Sequence, residues 1–185
     1  MAGPLENNVY VACCPETAQA VIVDPADEAG RILEAAAGWD VRAVLLTHGH
    51  HDHLGAAAEV CRALGAPLHL HPADHPAAGL PRLLPLADGQ TISFGRTALE
   101  VRHTPGHTPG SVCFLAGSVL FSGDTLFPGG PGATADREGF LQVMASLRRR
   151  LFTLPDDTLV LPGHGPGTTI GSERAGLDEW DRRGW

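Results

Sequence analysis

Apolar residues in this chain come in short runs parted by turn residues, with few long helical stretches between them. Val9–Ala12, Ala20–Val23 and Val41–Leu46 are β-branched or leucine-rich and read as strands, the last of them a buried one. Glu28–Ala37 reads as a helix after the Asp24-Pro25 turn. Leu54–Leu64 reads as a second helix with Asp52 and His53 at its amino end, and Pro67–Leu70 as a short strand. Residues 72–89 are proline-rich and read as irregular. Thr91–Phe94, Leu99–Arg102, Ser111–Leu115 and Ser118–Phe121 make a strand-rich second half. They are followed by a helix over Glu138–Leu151, a strand over Thr158–Leu161 and a terminal helix over Ser172–Trp180. Two batches of strands with interspersed helices suit two stacked sheets covered by helices. No linker interrupts the pattern, so residues 1–185 read as a single domain.

Composition narrows the picture. With 185 residues, 43% of them hydrophobic, the chain can build one substantial core but not two. A net charge of -8 argues against a nucleic-acid partner. Four cysteines without a regular framework point to reduced thiols and a cytoplasmic setting. Neither a basic-then-apolar leader nor a long apolar stretch is present, so neither secretion nor a membrane partner is expected. All 13 basic residues are arginine, which reads as base-composition bias.

The chemistry is concentrated in Thr47-His48-Gly49-His50-His51-Asp52-His53, on the loop that leaves the Val41–Leu46 strand at its carboxyl end. Neutral imidazole and carboxylate are the common ligands of zinc and related metals, and clustering them locally lowers the entropy cost of assembling a site. Three more candidates sit at the ends of apolar runs beside glycine: His107 in Thr104-Pro105-Gly106-His107-Thr108, Asp124 in Gly123-Asp124-Thr125, and His164 in Pro162-Gly163-His164-Gly165. Seven such side chains suffice for two metals sharing a bridging carboxylate. Two metals a few ångströms apart can lower the pKa of a shared water toward neutrality, so no serine or cysteine nucleophile is required. Asp52 beside that water is the candidate catalytic proton carrier. Cys13, Cys14, Cys61 and Cys113 show no metal or redox spacing.

His48-x-His50-x-Asp52-His53, His107, Asp124 and His164, in that order, resemble the metallo-β-lactamase-fold hydrolases over nearly the whole chain. Asp24-Pro25 and Gly123-Asp124-Thr125-Leu126-Phe127 bring the resemblance closer to the glyoxalase II-like (hydroxyacylglutathione hydrolase-like) branch. The resemblance implies an αββα sandwich of two mixed sheets flanked by helices. It also implies His48, His50 and His107 on one metal, Asp52, His53 and His164 on the other, and Asp124 between them. Two divalent ions are expected, zinc first, with iron or manganese as alternatives. The implied activity is metal-dependent hydrolysis of a small-molecule thioester through a metal-bridged hydroxide. Two other enzymatic readings stay open: a mononuclear iron persulfide dioxygenase using the positions of His48, His107 and Asp124, or hydrolysis of another ester or lactone. A non-enzymatic protein with a vestigial site is a further one, and the complete ligand set argues against it. The well-known zinc β-lactamases have cysteine where Asp124 stands, the di-iron flavoproteins have glutamate where His50 stands, and the RNA-processing members carry insertions that this chain lacks. Classical glyoxalase II binds glutathione through lysine and tyrosine side chains, partly on a carboxyl-terminal helical domain. Here there is no lysine, the only tyrosine is Tyr10, and no such domain is expected. The family usually has a strand before Leu5-Glu6-Asn7-Asn8, so one sheet edge looks short.

Other residues receive plainer readings. His69, His71, His75 and His103 are expected at the surface or at strand ends, and His51 is expected to face solvent. Asp24 either steadies a ligand imidazole or serves only as a turn residue. Arg148-Arg149-Arg150 ends a helix and reads as a solvated face. Pro128–Gly132 reads as a rim of the site, and Arg137 as the one candidate anion contact.

Overall fold

The computed structural model describes residues 1–184. Its first sheet contains β1 (Tyr10–Cys14), β2 (Gln19–Val23), β3 (Asp40–Leu45), β4 (Leu68–Leu70) and β5 (Leu84–Pro85), in that order. The second sheet draws on β6 (Thr91–Phe94), β7 (Thr97–His103), β8 (Val112–Ala116), β9 (Val119–Gly123), β12 (Leu159–Pro162) and β13 (Thr168–Thr169), ordered 13-12-9-8-7-6. Between β9 and β12 a small hairpin forms from β10 (Leu126–Phe127) and β11 (Gly130–Pro131). Both larger sheets are mixed. β2, β3, β4 and β5 run parallel, as do β9 and β12, while the remaining pairs are antiparallel. The helices are α1 (Ala29–Ala35), α2 (His51–Leu54), α3 (Ala57–Leu64), α4 (His75–Ala78), α5 (Arg137–Ser146), α6 (Ile170–Arg174) and α7 (Leu177–Arg183).

The side-chain alternation of a strand explains the layers. Val21, Val23, Ala43 and Leu45 face the second sheet and pack with Phe94, Leu99, Val101, Val112, Phe114 and Phe121. Their neighbours Ala20, Ile22, Val44 and Leu46 face outward, against Ile32 of α1 and Val60 of α3. On the far side Cys113, Leu120 and Val160 meet Val143, Met144, Leu147 and Trp180. Each sheet is thus buried on both faces, which is why its strands read as nearly continuous apolar runs. The αββα sandwich expected from the sequence is the observed architecture. Among the described residues no helix is long and apolar enough to cross a membrane.

Several local expectations need correction. The helix expected over Leu54–Leu64 is broken: α2 ends before Gly55, and the Ala56 amide donates to the carbonyls of Pro25 (3.0 Å) and Ala26 (3.1 Å) in the turn before α1. Residues 72–89 are not wholly irregular, since a 3-10 turn at Pro72–Asp74, α4 and the edge strand β5 lie within them. The helix over Glu138–Leu151 is α5 followed by a π-helical turn at Leu147–Leu151. The terminal helix divides into α6 and α7. Arg148 and Arg150 are not simply solvated, because they form ion pairs with Asp181 and Asp88 respectively.

Candidate metal centre

The seven candidate ligands meet at one end of the sandwich because the strands that carry them end there. β3 runs into Thr47–His53, β9 into Asp124 and β12 into Gly163-His164, while the turn between β7 and β8 presents His107. Gly123 makes the close approach possible. It has φ +48°, and a Cβ there would overlap the hydroxyl of Thr47, so only glycine lets β9 deliver Asp124 beside the first motif.

Two donor triads form. In the first, His50 Nδ1 lies 3.1 Å from His48 Nε2 and 2.9 Å from His107 Nε2. In the second, Asp52 Oδ2 lies 3.4 Å from His53 Nε2 and 3.3 Å from His164 Nε2. Asp124 stands between them. Its Oδ1 is 3.4 Å from His53 Nε2, and its Oδ2 is 3.7 Å from both His107 Nε2 and His164 Nε2.

What lies behind each ring determines its tautomer. His107 Nδ1 donates to the carbonyl of Ala133 (2.6 Å) and His164 Nδ1 to the carbonyl of Leu5 (3.0 Å), and a carbonyl can only accept. His53 Nδ1 faces the Asp24 carboxylate at 3.2 Å. The Thr47 hydroxyl donates to Asp24 (2.6 Å) and therefore accepts from His48 Nδ1 at 3.0 Å. His48, His107 and His164 consequently turn an Nε2 lone pair inward, and the Asp24 carboxylate behind His53 directs its Nε2 into the same space. Asp24 therefore does more than turn the chain: it has φ +48° at the strand end, and its carboxylate faces His53 and also accepts the Thr47 amide at 2.7 Å.

The donor set fits divalent metal. The ligand atoms of each triad lie within 4.8 Å of one another. Tetrahedral nitrogens about 2.0–2.1 Å from a zinc ion are separated by about 3.3 Å, close to the spacing of the first triad. His53 Nε2 and Asp124 Oδ1 are buried and face each other without a hydrogen bond, two orphaned groups that a shared cation would satisfy. Gly163 completes the cradle, since a Cβ there would overlap both Asp124 Oδ1 and His53 Cε1. Electrostatics agree. Burial and the surrounding imidazoles hold His48 well below the ordinary histidine range, and burial with His107 lowers His50, favouring neutral donors. Burial works against a charged His53, yet Asp124 and Asp24 outweigh it and push its pKa up to about 10, the mark of a pocket that draws in positive charge. Burial of Asp52 is likewise outweighed, by the Asn7 amide and His53, and its pKa is lowered.

Two supports were not evident in the sequence. Asn7, almost fully buried, donates its side-chain amide to Asp52 Oδ2 (3.0 Å), while its backbone bridges to His164. Asp74, in the stretch read as irregular, accepts from the Gly49 amide (2.9 Å), the Thr108 hydroxyl (2.7 Å) and the Gly110 amide (2.7 Å), tying the first-motif loop to the His107 loop. Asn7 lies in an isolated bridge and Asp74 ends a 3-10 turn, and both are single polar residues with no motif to distinguish them.

The remaining histidines stay outside the centre. His51 is exposed, His71 stacks on His103 with ring centroids 4.2 Å apart, and His75 Nε2 lies 2.9 Å from the Leu70 carbonyl. His69 is half-buried on β4. Arg137 opens α5, but the cavity beside His107 is lined by its neighbours Asp136, Glu138 and Gly139 and not by Arg137.

Comparison with known proteins adds to this geometry. Residues 2–164 match the Metallo-beta-lactamase superfamily. A hydroxyacylglutathione hydrolase of Haemophilus influenzae is 34% identical over 178 residues, covering 84% of each chain. The crystal structure of TTHA1623 in a di-iron-bound form is 41% identical with a TM-score of 0.79, over 94% of each chain. That of the BLEG-1 B3 metallo-beta-lactamase is 34% identical with a TM-score of 0.81, over 94% of this chain and 93% of the other.

Proposed function

Because the chain belongs to the metallo-beta-lactamase superfamily, we propose that it is a dinuclear metal-dependent hydrolase whose substrate is a small thioester. The observation that carries this reading is the placement of Asp124, whose two oxygens reach into both donor triads. His48, His50 and His107 would hold one ion and Asp52, His53 and His164 the other, with Asp124 shared. Zinc is the first candidate for both, with iron or manganese as alternatives. When bound, such a pair supplies Lewis acidity for a carbonyl and lowers the pKa of water toward neutrality.

The chain's own groups supply orientation and proton handling. The Nδ1 partners of His48, His53, His107 and His164 fix those rings, so the donors are set before substrate arrives. Asp52 Oδ2, held by Asn7, faces the centre and is the atom at which a proton can be taken up and returned. Space for substrate lies on either side. A cavity of about 250 Å³ adjoins His107, and another of about 380 Å³ adjoins Asp52. A thioester suits such a centre because its carbonyl is activated and its thiolate leaves without protonation.

The test is elemental analysis of protein purified without added metal, joined to assays on thioesters, a persulfide and a chromogenic cephalosporin. Two metals per chain with thioester hydrolysis is the expected result. One iron per chain with oxygen consumption on the persulfide would replace this reading with the mononuclear dioxygenase. Faster turnover of the cephalosporin than of any thioester would make it a lactamase.

A further inference from the structure

The two donor triads are held by different parts of the chain. Behind the first, Asp74 ties the loop of His48 and His50 to the loop of His107 through the Gly49 amide, the Thr108 hydroxyl and the Gly110 amide. Thr47 and Ala133 complete that frame, and none of these partners comes from the amino-terminal segment. Behind the second, two of the three ligands lean on residues 2–8. The Leu5 carbonyl accepts from His164 Nδ1 at 3.0 Å, and Asn7 Nδ2 donates to Asp52 Oδ2 at 3.0 Å. The segment is itself anchored. Ala2 and Asn7 exchange backbone hydrogen bonds of 2.8 and 3.0 Å, and the Asn8 amide donates to the Gly163 carbonyl at 2.7 Å.

Asn7 has a second contact in the centre, since its Nδ2 also lies 3.3 Å from His164 Nε2. His164 gives its one ring proton to Leu5, so Nε2 carries a lone pair, and Asp52 Oδ2 is an acceptor too. These two acceptors stand 3.3 Å apart and would repel if nothing lay between them. Reversing the Asn7 amide would set a third acceptor against both, so the hydrogen-bond network fixes Nδ2 as the inward atom, with one hydrogen for each. A neutral side chain, itself 2% exposed, thereby gathers two ligands of the second triad without any cation. The first triad has no such donor, and its imidazoles are set by what lies behind them.

We propose that Asn7 is the positioning residue for the second ion and Asp74 for the first, so that either ion can be lost separately through a change outside the ligand set. The inference rests on the dinuclear reading above. It makes the number of metals bound depend on two residues that lie outside Thr47–His53 and donate no metal ligand. A chain with all seven ligands but no donor at position 7 would hold one ion firmly and the other weakly.

The experiment strips the full chain of metal and titrates it with zinc against a chromophoric chelator, with elemental analysis counting the ions retained. Unaltered protein should take up two ions tightly. Asn7→Leu keeps the volume and removes both donors, and should weaken one binding step by about 10–100-fold while the other moves by less than about threefold. Asp74→Asn sets an amide donor against backbone amide donors and should likewise weaken one step by about 10–100-fold. The double variant decides whether the two act on different ions, because independent losses add. Both steps should then be weak. One tight ion surviving in the double variant would mean that both residues serve the same ion, and would overturn the inference. Two unchanged steps in Asn7→Leu would overturn it as well, and either result leaves the dinuclear reading standing. If Asn7→Leu fails to fold by circular dichroism, Asn8→Ala is read in its place. It releases the Pro162 and Gly165 carbonyls and should weaken one step severalfold, and an unchanged titration counts against the inference in the same way. Unaltered protein that binds a single ion would overturn the dinuclear reading and this inference with it.

Discussion

Replacing Gly163 with alanine puts one methyl group where Asp124 and His53 meet. A Cβ there overlaps Asp124 Oδ1 and His53 Cε1. The backbone is held on both sides, since the Gly163 amide donates to Gly123 O at 2.9 Å and its carbonyl accepts the Asn8 amide at 2.7 Å. Overpacking of this kind costs about 1–3 kcal/mol. If the backbone absorbs the strain, the metal-free protein loses stability, and at roughly 2–4 °C per kcal/mol for a chain of this size its Tm falls by about 2–12 °C. If Asp124 swings aside, the metal-free Tm hardly moves and the cost appears as weakened metal binding, about tenfold for each 1.4 kcal/mol. The second outcome is expected. Asp124 Oδ1 has only its 3.4 Å pairing with His53 to lose, whereas moving the backbone would break two hydrogen bonds. Calorimetry of the metal-free protein and titration against a chromophoric chelator separate the two. A variant with unchanged metal affinity and unchanged melting would refute the assignment of Asp124 to the space between the triads.

Three further outcomes are expected. Asp124→Ala should lose most bound metal and more than a hundredfold in turnover while far-UV circular dichroism persists, because the sheets bury their cores without it; retention of both metals would reduce Asp124 to a turn residue. Asp24→Asn keeps the shape but swaps an acceptor for a donor beside Thr47 and His53, and should weaken metal binding by about 10–100-fold, read by the same titration. Tyr10 is the single tyrosine, so its ionisation can be followed alone at 295 nm, and burial should delay it to about pH 12. The fold favours the neutral phenol, so its contribution to stability is complete below pH 10 and is lost as pH rises through about 12; full ionisation by pH 10.5 in folded protein would contradict the burial.

The layers were legible because the central strands, such as β2, β8 and β9, are buried along most of their length, and the run Val41–Leu46 that forms most of β3 has a single polar residue. The candidate ligands stood out because all seven lie at the ends of such runs or in the segment that follows one. What could not be read depends on partners distant in sequence. The break after α2 is imposed by two carbonyls in the Pro25-Ala26 turn, and no local propensity announces it. Strands β5, β10, β11 and β13 are two residues each, too short for any periodicity to show. Arg148 and Arg150 read as solvated because their carboxylate partners lie on α7 and on the turn before β6.

The same distinction runs through the centre itself. A side-chain metal ligand is drawn from a short set, chiefly histidine, cysteine and the carboxylates, so its identity leaves a trace in the sequence. The group that orients it need only accept a hydrogen bond, and for His107 and His164 that group is a backbone carbonyl, which any residue provides. The information that fixes those two rings therefore lies in the path of the chain at Ala133 and Leu5 rather than in the side chains there. The path at Leu5 is in turn set by Asn7 and Asn8, which bind the Pro162–Gly165 turn through Asn8 Nδ2 to Pro162 O (3.0 Å) and Gly165 O (2.8 Å). Asn7 closes the circuit by holding Asp52 from the same segment. Residues far from the signature at Thr47–His53 thus decide whether its donors converge, and a chain could keep every ligand and still lose the centre by losing that amino-terminal strap.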